Sequence, residues 1–308
     1  MKAIRVAAYG SPDGLTVAEV DDPVPGDNEV LIDVAAASVN PIDWKIVSGA
    51  MQAFIPLPLP FTPGVDAAGT VIAVGRHVTT LKPGDNVMGF IGIVGAFATR
   101  AVVEASRLAR KPESVSFAEA AAIPAASLTA WQALQEHGAL RAGQAVLIHG
   151  AAGGVGSAAV QLAKLAGARV IGTGSARNRD YVQSLGADAF IDYRAEDFSK
   201  RVSRVDLVLD LIGGETQDRS WSVLKSGGTL VSTVARPDSA RAQGAQANGR
   251  HFATRSDGPL LEKLAALHAA GDLRTHIDSV FPLSDAGHAL GHSMSGHVRG
   301  KVVLDVIK

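Results

Sequence analysis

Gly153, Gly154 and Gly156 lie in the stretch HGAAGGVGSAAVQLAK, residues 149–164. Before them runs a short apolar segment, Val146, Leu147 and Ile148; after them Val155, Ala158, Ala159, Leu162 and Ala163 recur at helical spacing. Glycines between a strand and a helix bind phosphate, because missing β-carbons let backbone amides approach a pyrophosphate at the positive end of the helix. Ala151 replaces the first glycine of the usual fingerprint, which reads A-x-G-x-x-G; Ala152 and Val155 fill the turn between. A second strand-like run, Arg169–Thr173, follows at the spacing of a dinucleotide-binding unit. No Lys-Ser or Lys-Thr closes the glycines, which excludes a nucleoside-triphosphate loop.

The residues after that second run choose the dinucleotide. An NAD site places Asp or Glu there to accept the ribose hydroxyls. This chain offers Thr173, Gly174, Ser175, Ala176, Arg177, Asn178 and Arg179. A hydroxyl and two guanidiniums suit a 2′-phosphate, so NADPH is the expected cofactor. Which of Arg177 and Arg179 contacts the phosphate stays open, one of them being an ordinary solvated residue at a helix start.

Two textures position these groups. Residues 1 to about 124 carry short β-like runs (Val30–Val34, Thr70–Val74, Val87–Phe90) separated by Pro25-Gly26, Pro63-Gly64 and Pro83-Gly84-Asp85, the pattern of a partly open barrel or sandwich. From about 125, strands expected at 145–149, 169–173, 188–191, 205–209 and 228–232 alternate with helices at 154–167, 177–185, 215–224 and 259–270, giving a doubly wound parallel sheet. Ligands bind beyond the carboxyl ends of such strands, so Ile212 and Val234, in the loops after the fourth and fifth strands, join the cofactor candidates. Asp278–Leu283 and Lys301–Ile307 again read as strands around a helix at Asp285–Met294. We assign 1–124 and 273–308 to one discontinuous domain and 125–272 to the dinucleotide domain. Segment 236–258 lacks periodicity and reads as a mobile surface loop.

The 308 residues, 47% hydrophobic and 19% charged with net charge −1, give no reason to expect nucleic acid or an anionic membrane as partner. There is no cysteine, which removes disulfides, thiol nucleophiles and Cys-based zinc sites. No apolar run suits a membrane span or a signal peptide, and the cytoplasm is the expected compartment.

The chain resembles the quinone oxidoreductase (zeta-crystallin-like) branch of the medium-chain dehydrogenases/reductases. The likeness is carried by Asn40-Pro41-Ile42-Asp43, Gly49, Pro63–Gly69, Val74-Gly75, Lys82–Asp85, Leu128–Trp131, Gly143-Gln144, the turn 151–156, Gln161, Lys164 and Gly300–Val303. Asp43-Trp44-Lys45 also resembles the alkenal and enone reductases of the same group. The resemblance implies a GroES-like N-terminal domain, a Rossmann domain, an active site in the cleft between them, and a homodimer formed by pairing Rossmann sheets edge to edge. Zinc-dependent relatives carry Cys near residue 39 and His-Glu after residue 64. Val39 and Val65-Asp66 stand there instead, and one carboxylate is too few for tetrahedral zinc. A zinc-independent reductase is expected. His288, His292 and His297 form the one histidine cluster, which reads as a solvated helix face.

Hydride transfer then needs hydrogen-bond donors or a general acid for the charge that develops on the acceptor. The resemblance places Asn40 and Thr129 near the nicotinamide and Tyr193 near the 2′-phosphate. Asn40 is alternatively a turn residue before Pro41, and Thr129 a packing residue within a helix. Lys45 is a candidate proton donor to a reduced quinone or enone. Asp43 and Asp66 are expected to orient loops, and Trp44, Met51, Phe54 and Ile55 to form an apolar wall or part of the core. A non-catalytic NADPH-binding protein is the alternative of another class.

Overall fold

A computed structural model describes residues 1–307. Its contacts divide the described residues into two units, 1–125 with 256–307 and 126–255; Lys308, which the expected domain also included, lies outside the described residues. The sequence reading draws this boundary at 273; the contacts draw it at 256. Helix Gly258–Ala270 belongs with the first unit because it packs against strand Leu108–Arg110. A β-carbon on Gly258 would stand 2.5 Å from the carbonyl oxygen of Ser106, so the helix N-terminus sits directly on this unit's backbone.

The first unit holds a seven-stranded sheet. Six of its strands run in the order Ile277–Pro282, Lys301–Asp305, Glu29–Val39, Asp66–Val74, Asn86–Phe90, Leu108–Arg110, and Arg100–Glu104 also pairs with Glu29–Val39. All neighbours are antiparallel except the first two strands. The long central strand reads Glu-Val-Leu-Ile-Asp-Val-Ala-Ala-Ala-Ser-Val and is buried along most of its length. It brings distant residues into register: Ser38 pairs with Asp66 on one side, and Val39 with Val302 on the other. Ile4, Val30, Ile32, Val71, Phe97 and Leu290 are among the side chains that fill the core, each fully buried one stabilising the unit by about 1.5–3 kcal/mol.

In the second unit six parallel strands, numbered along the chain from Ala145–Ile148 to Asn248–His251, lie in the order third, second, first, fourth, fifth, sixth. That is the Rossmann order, with its switch point beside the first strand. Leu147, Ile171, Val208, Trp221 and Leu230 share its core. The segment expected to be a mobile loop supplies the helix Ser239–Gly244 and the sixth strand. Asn-Gly-Arg-His is exposed throughout, so this edge strand carries no apolar alternation to betray it. The expected helix 215–224 ends at Ser220 and a short turn, and Leu224 already begins the fifth strand. Among the described residues no helix is long and apolar enough to cross a membrane.

Candidate functional site

Strand Ala145–Ile148 ends in the glycine turn, and helix Gly154–Leu165 starts from Gly153 with no side chain capping its first amides. These donors are therefore open to an anion. Two of the three glycines do different work. A β-carbon on Gly156 would lie 2.1 Å from the Gly150 carbonyl oxygen, so this glycine lets the helix close onto the turn. One on Gly153 would meet nothing nearer than that same oxygen at 3.5 Å. Gly153 thus borders open space at the helix N-terminus. The absent first glycine is explained by its neighbours: Gly150 takes the left-handed conformation (φ 68°), and Ala151 packs where Gly172 leaves room, a β-carbon there coming within 2.9 Å of the Ala151 methyl.

Beneath the turn, Ser220 Oγ donates to the Thr216 carbonyl and so accepts from His149 Nε2 at 3.0 Å. His149 Nδ1 then accepts from Thr173 Oγ1 at 3.1 Å. Burial pushes the imidazole down to about 4, which keeps it neutral. Thr173, named from sequence as a cofactor ligand, is buried with its hydroxyl given to this chain of bonds, and its carbonyl accepts from Ala151.

At the next strand end no carboxylate replaces Ser175, which precedes the turn Ala176–Asn178. The two arginines separate in role. Arg179 donates to the Phe190 carbonyl at 3.2 Å, stacks over the Phe190 ring and lies 3.7 Å from Glu196. Arg177 is exposed on the turn. Tyr193 is 55% exposed, its amide bonded to the Gly174 carbonyl and its ring 5.7 Å from the Arg194 guanidinium. Ile212 and Val234 are 54% and 39% exposed. Buried Asp210, which sequence reasoning missed, holds both loops: Oδ1 accepts from the amides of Ile212 and Gly213, and Oδ2 from Gln217 and Ser232. Thr129 is buried in helix Pro124–Trp131, its hydroxyl 2.6 Å from that of Thr254.

In the first unit Asn40 precedes helix Pro41–Val47, and its amide is committed in three directions. Nδ2 donates to Asp66 Oδ2 at 2.9 Å and to the Ser38 carbonyl at 3.3 Å, while Oδ1 accepts from Lys301 Nζ at 2.6 Å. Lys301 also donates to the Val39 carbonyl and lies 3.6 Å from Asp66. Asp66 gains further donors in Ser38 Oγ and the Ala125 amide. Burial pushes Asp66 up and Lys301 down, and each opposes the other's shift. With this many donors around the carboxylate, we assign an ionised Asp66–Lys301 pair. The sequence singled out Asn40 and Asp66, but Lys301 only as part of a closing strand.

Asp43 differs. Oδ2 accepts from the Asn40 amide at 2.7 Å, Oδ1 is buried without a partner, and burial raises the carboxyl to about 8. It is a neutral acid near pH 7. Between the ordinary value of 3.8 and about 8 the folded chain keeps a proton that the unfolded chain releases, so stability falls as pH rises across that window. Asp43→Asn, which imitates the protonated acid, should become progressively more stable than the parent between about pH 5 and pH 8, by up to roughly 1.4 kcal/mol per pH unit. Urea unfolding at both pH values measures this; a pH-independent difference would mean that Asp43 is buried as an anion.

Lys45 stands on the same helix, half-exposed, its ammonium 5.5 Å from the centre of the Trp44 ring. Trp44, Met51 and Ile55 pack partly buried against the core, whereas Phe54 is exposed. His292 is bonded to Asp278, and among the described residues no group of three or more His, Cys, Asp or Glu side chains is arranged to hold a metal ion.

Residues 26–113 match the alcohol dehydrogenase GroES-like domain and residues 185–304 the zinc-binding dehydrogenase family. The chain is 36% identical over 326 residues to quinone-oxidoreductase QR1, chloroplastic, of Triphysaria versicolor, covering 99% of this chain and 98% of that one. It is 35% identical over 320 residues to the NADPH-dependent alkenal/one oxidoreductase, chloroplastic, of Arabidopsis thaliana, covering 99% and 79%. Among solved structures, Escherichia coli quinone oxidoreductase complexed with NADPH superposes with a TM-score of 0.92 at 29% identity, covering 99% of this chain and 100% of that one.

Proposed function

The chain belongs to the medium-chain dehydrogenases/reductases, in their quinone oxidoreductase (zeta-crystallin-like) branch, and from that premise we propose that it reduces a quinone with NADPH and without a metal ion. The observation that carries the cofactor is the uncapped helix N-terminus bordered by open space at Gly153. NADPH supplies a hydride when bound. The amides of Gly154, Val155 and Gly156 hold the pyrophosphate, with Gly153, whose own amide donates to the Gly150 carbonyl, leaving room for it and Ala152 shaping the turn. Ser175, Arg177 and Tyr193 meet the 2′-phosphate, and Arg179 fixes the strand end through Phe190 and Glu196. Thr129, Ile212 and Val234 seat the rest of the dinucleotide.

In the first unit Asn40 is the group that orients the reacting partners. Its shortest bonds anchor the amide, while the 3.3 Å bond to Ser38 is the longest of the three. Lys45, half-exposed beside Trp44, delivers a proton or hydrogen bond to the acceptor oxygen. A divalent ion at Asp66 would face the Lys301 ammonium, 3.6 Å from that carboxylate, which supports metal-free chemistry. Asp43-Trp44-Lys45 and the alkenal/one oxidoreductase relative favour enone reduction as the second activity. The fully exposed edge strand Asn248–His251 supports a homodimer.

Substrate-dependent oxidation of NADPH across quinones and enones tests the proposal. Turnover with a quinone should survive a chelator unchanged, and NADPH should bind about tenfold or more tightly than NADH, a gap of about 1.4 kcal/mol that one charge-assisted hydrogen bond supplies. Binding without turnover on any acceptor would leave a non-catalytic NADPH-binding protein. Zinc-restored activity would overturn the metal-free mechanism.

A further inference from the structure

The Asn40 amide has two ends of nearly equal size, so packing alone does not decide which end is oxygen. Its partners do. Asp66 Oδ2 and the Ser38 carbonyl can only accept, and they face Nδ2; Lys301 Nζ can only donate, and it faces Oδ1. A flipped amide would set NH2 against an ammonium and oxygen against a carboxylate. Of these partners, Lys301 alone supplies a donor to Oδ1 among the hydrogen bonds described, and it does so from a strand 261 residues further along the chain. The ammonium is itself pinned. Strand Lys301–Asp305 pairs with Glu29–Val39 through Val302 and Val39, and Nζ donates to the Val39 carbonyl at 3.1 Å. Burying a lysine is costly unless its charge is compensated, and Asp66 at 3.6 Å compensates it.

We propose that Lys301 is the positioning residue for Asn40, holding the amide in the one orientation that serves nicotinamide and acceptor. The inference rests on the assignment of Asn40 above. The ammonium touches neither reactant. Its removal leaves Oδ1 without its charged donor and loosens the amide, which Ser38 and position 66 then hold from the Nδ2 side alone, lowering the fraction of molecules ready for transfer while leaving the phosphate contacts of the second unit intact.

Lys301→Met alone strands the Asp66 carboxylate in the interior and risks the fold. The informative variant is therefore Lys301→Met with Asp66→Asn, which leaves no net charge; the one carboxamide oxygen at position 66 accepts from either Asn40 Nδ2 or the Ala125 amide, and the Ser38 carbonyl still accepts from Nδ2. Three quantities are read: kcat with one quinone, NADPH affinity by fluorescence titration, and the melting temperature. We expect kcat to fall at least tenfold, NADPH affinity to stay within threefold, and the further addition of Asn40→Ala to lower kcat less than twofold. A change in melting temperature alone, with kcat within twofold of the parent, overturns the inference. So do losses that multiply when Asn40→Ala is added, since independent effects would mean that Lys301 does not act through Asn40. Asn40→Ala by itself separates the levels. If that variant keeps the parent rate, the assignment of Asn40 fails and this inference with it; if it is slow while the charge-free pair is not, only the role of Lys301 fails.

Discussion

Gly153→Val should fold, melt near the parent temperature and bind NADPH at least a hundredfold more weakly. The native φ of −76° and ψ of 176° suit a branched residue, and the new β-carbon would meet nothing nearer than 3.5 Å, so the backbone has no reason to move. The valine methyls would instead occupy the space in front of the uncapped amides, where the pyrophosphate must come within hydrogen-bonding distance. A hundredfold loss is about 2.7 kcal/mol, less than two charge-assisted hydrogen bonds contribute. Gly156→Val supplies the contrast. Its β-carbon would stand 2.1 Å from the Gly150 carbonyl oxygen, so that variant should lose stability first. Unchanged NADPH affinity in a folded Gly153→Val protein would show that the turn binds no phosphate.

The second large effect concerns proton supply. Lys45→Met should slow enone reduction by roughly one to three orders of magnitude, the range for losing a general acid or oxyanion donor. Quinone reduction should lose much less, because charge on a reduced quinone is delocalised and water can protonate it. The lysine is half-exposed against Trp44 and bears no part of the buried network, so methionine keeps the packing and removes only the charge. Steady-state rates on one enone and one quinone decide the matter. Equal losses on both would make Lys45 a binding residue, and parent rates on both a surface lysine.

What the sequence discloses is local. The glycine turn is legible because strand, turn and helix lie within about two dozen residues and each has a steric signature. Ala151 in place of glycine looks like a defect until Gly150 and Gly172 are seen to share that glycine's work, one by conformation and one by leaving room. The strand Asn248–His251 is hidden because an exposed edge needs no apolar face. Helix Gly258–Ala270 has the periodicity expected of it, but periodicity does not say which sheet it covers. Asp210 and Lys301 were missed for the same reason: each acts through partners brought near only by the fold. For Lys301 the one available signal was a charged residue opening an otherwise apolar strand, Val302-Val303-Leu304. A lysine that must be buried at 4% exposure invites the question of which carboxylate receives it.

The discontinuity of the first unit also sets an order of events during synthesis. Residues 126–255 are contiguous and can close their parallel sheet once they have left the ribosome. The other sheet cannot be completed then, because Ile277–Pro282 and Lys301–Asp305 still lie ahead. Until Lys301 has been made, Asp66 has no counter-ion and Asn40 no donor for its oxygen. A nascent chain is thus able to acquire its nucleotide fold well before its chemistry. A chain interrupted in between is left with a carboxylate at position 66 that lacks its counter-ion and resists burial.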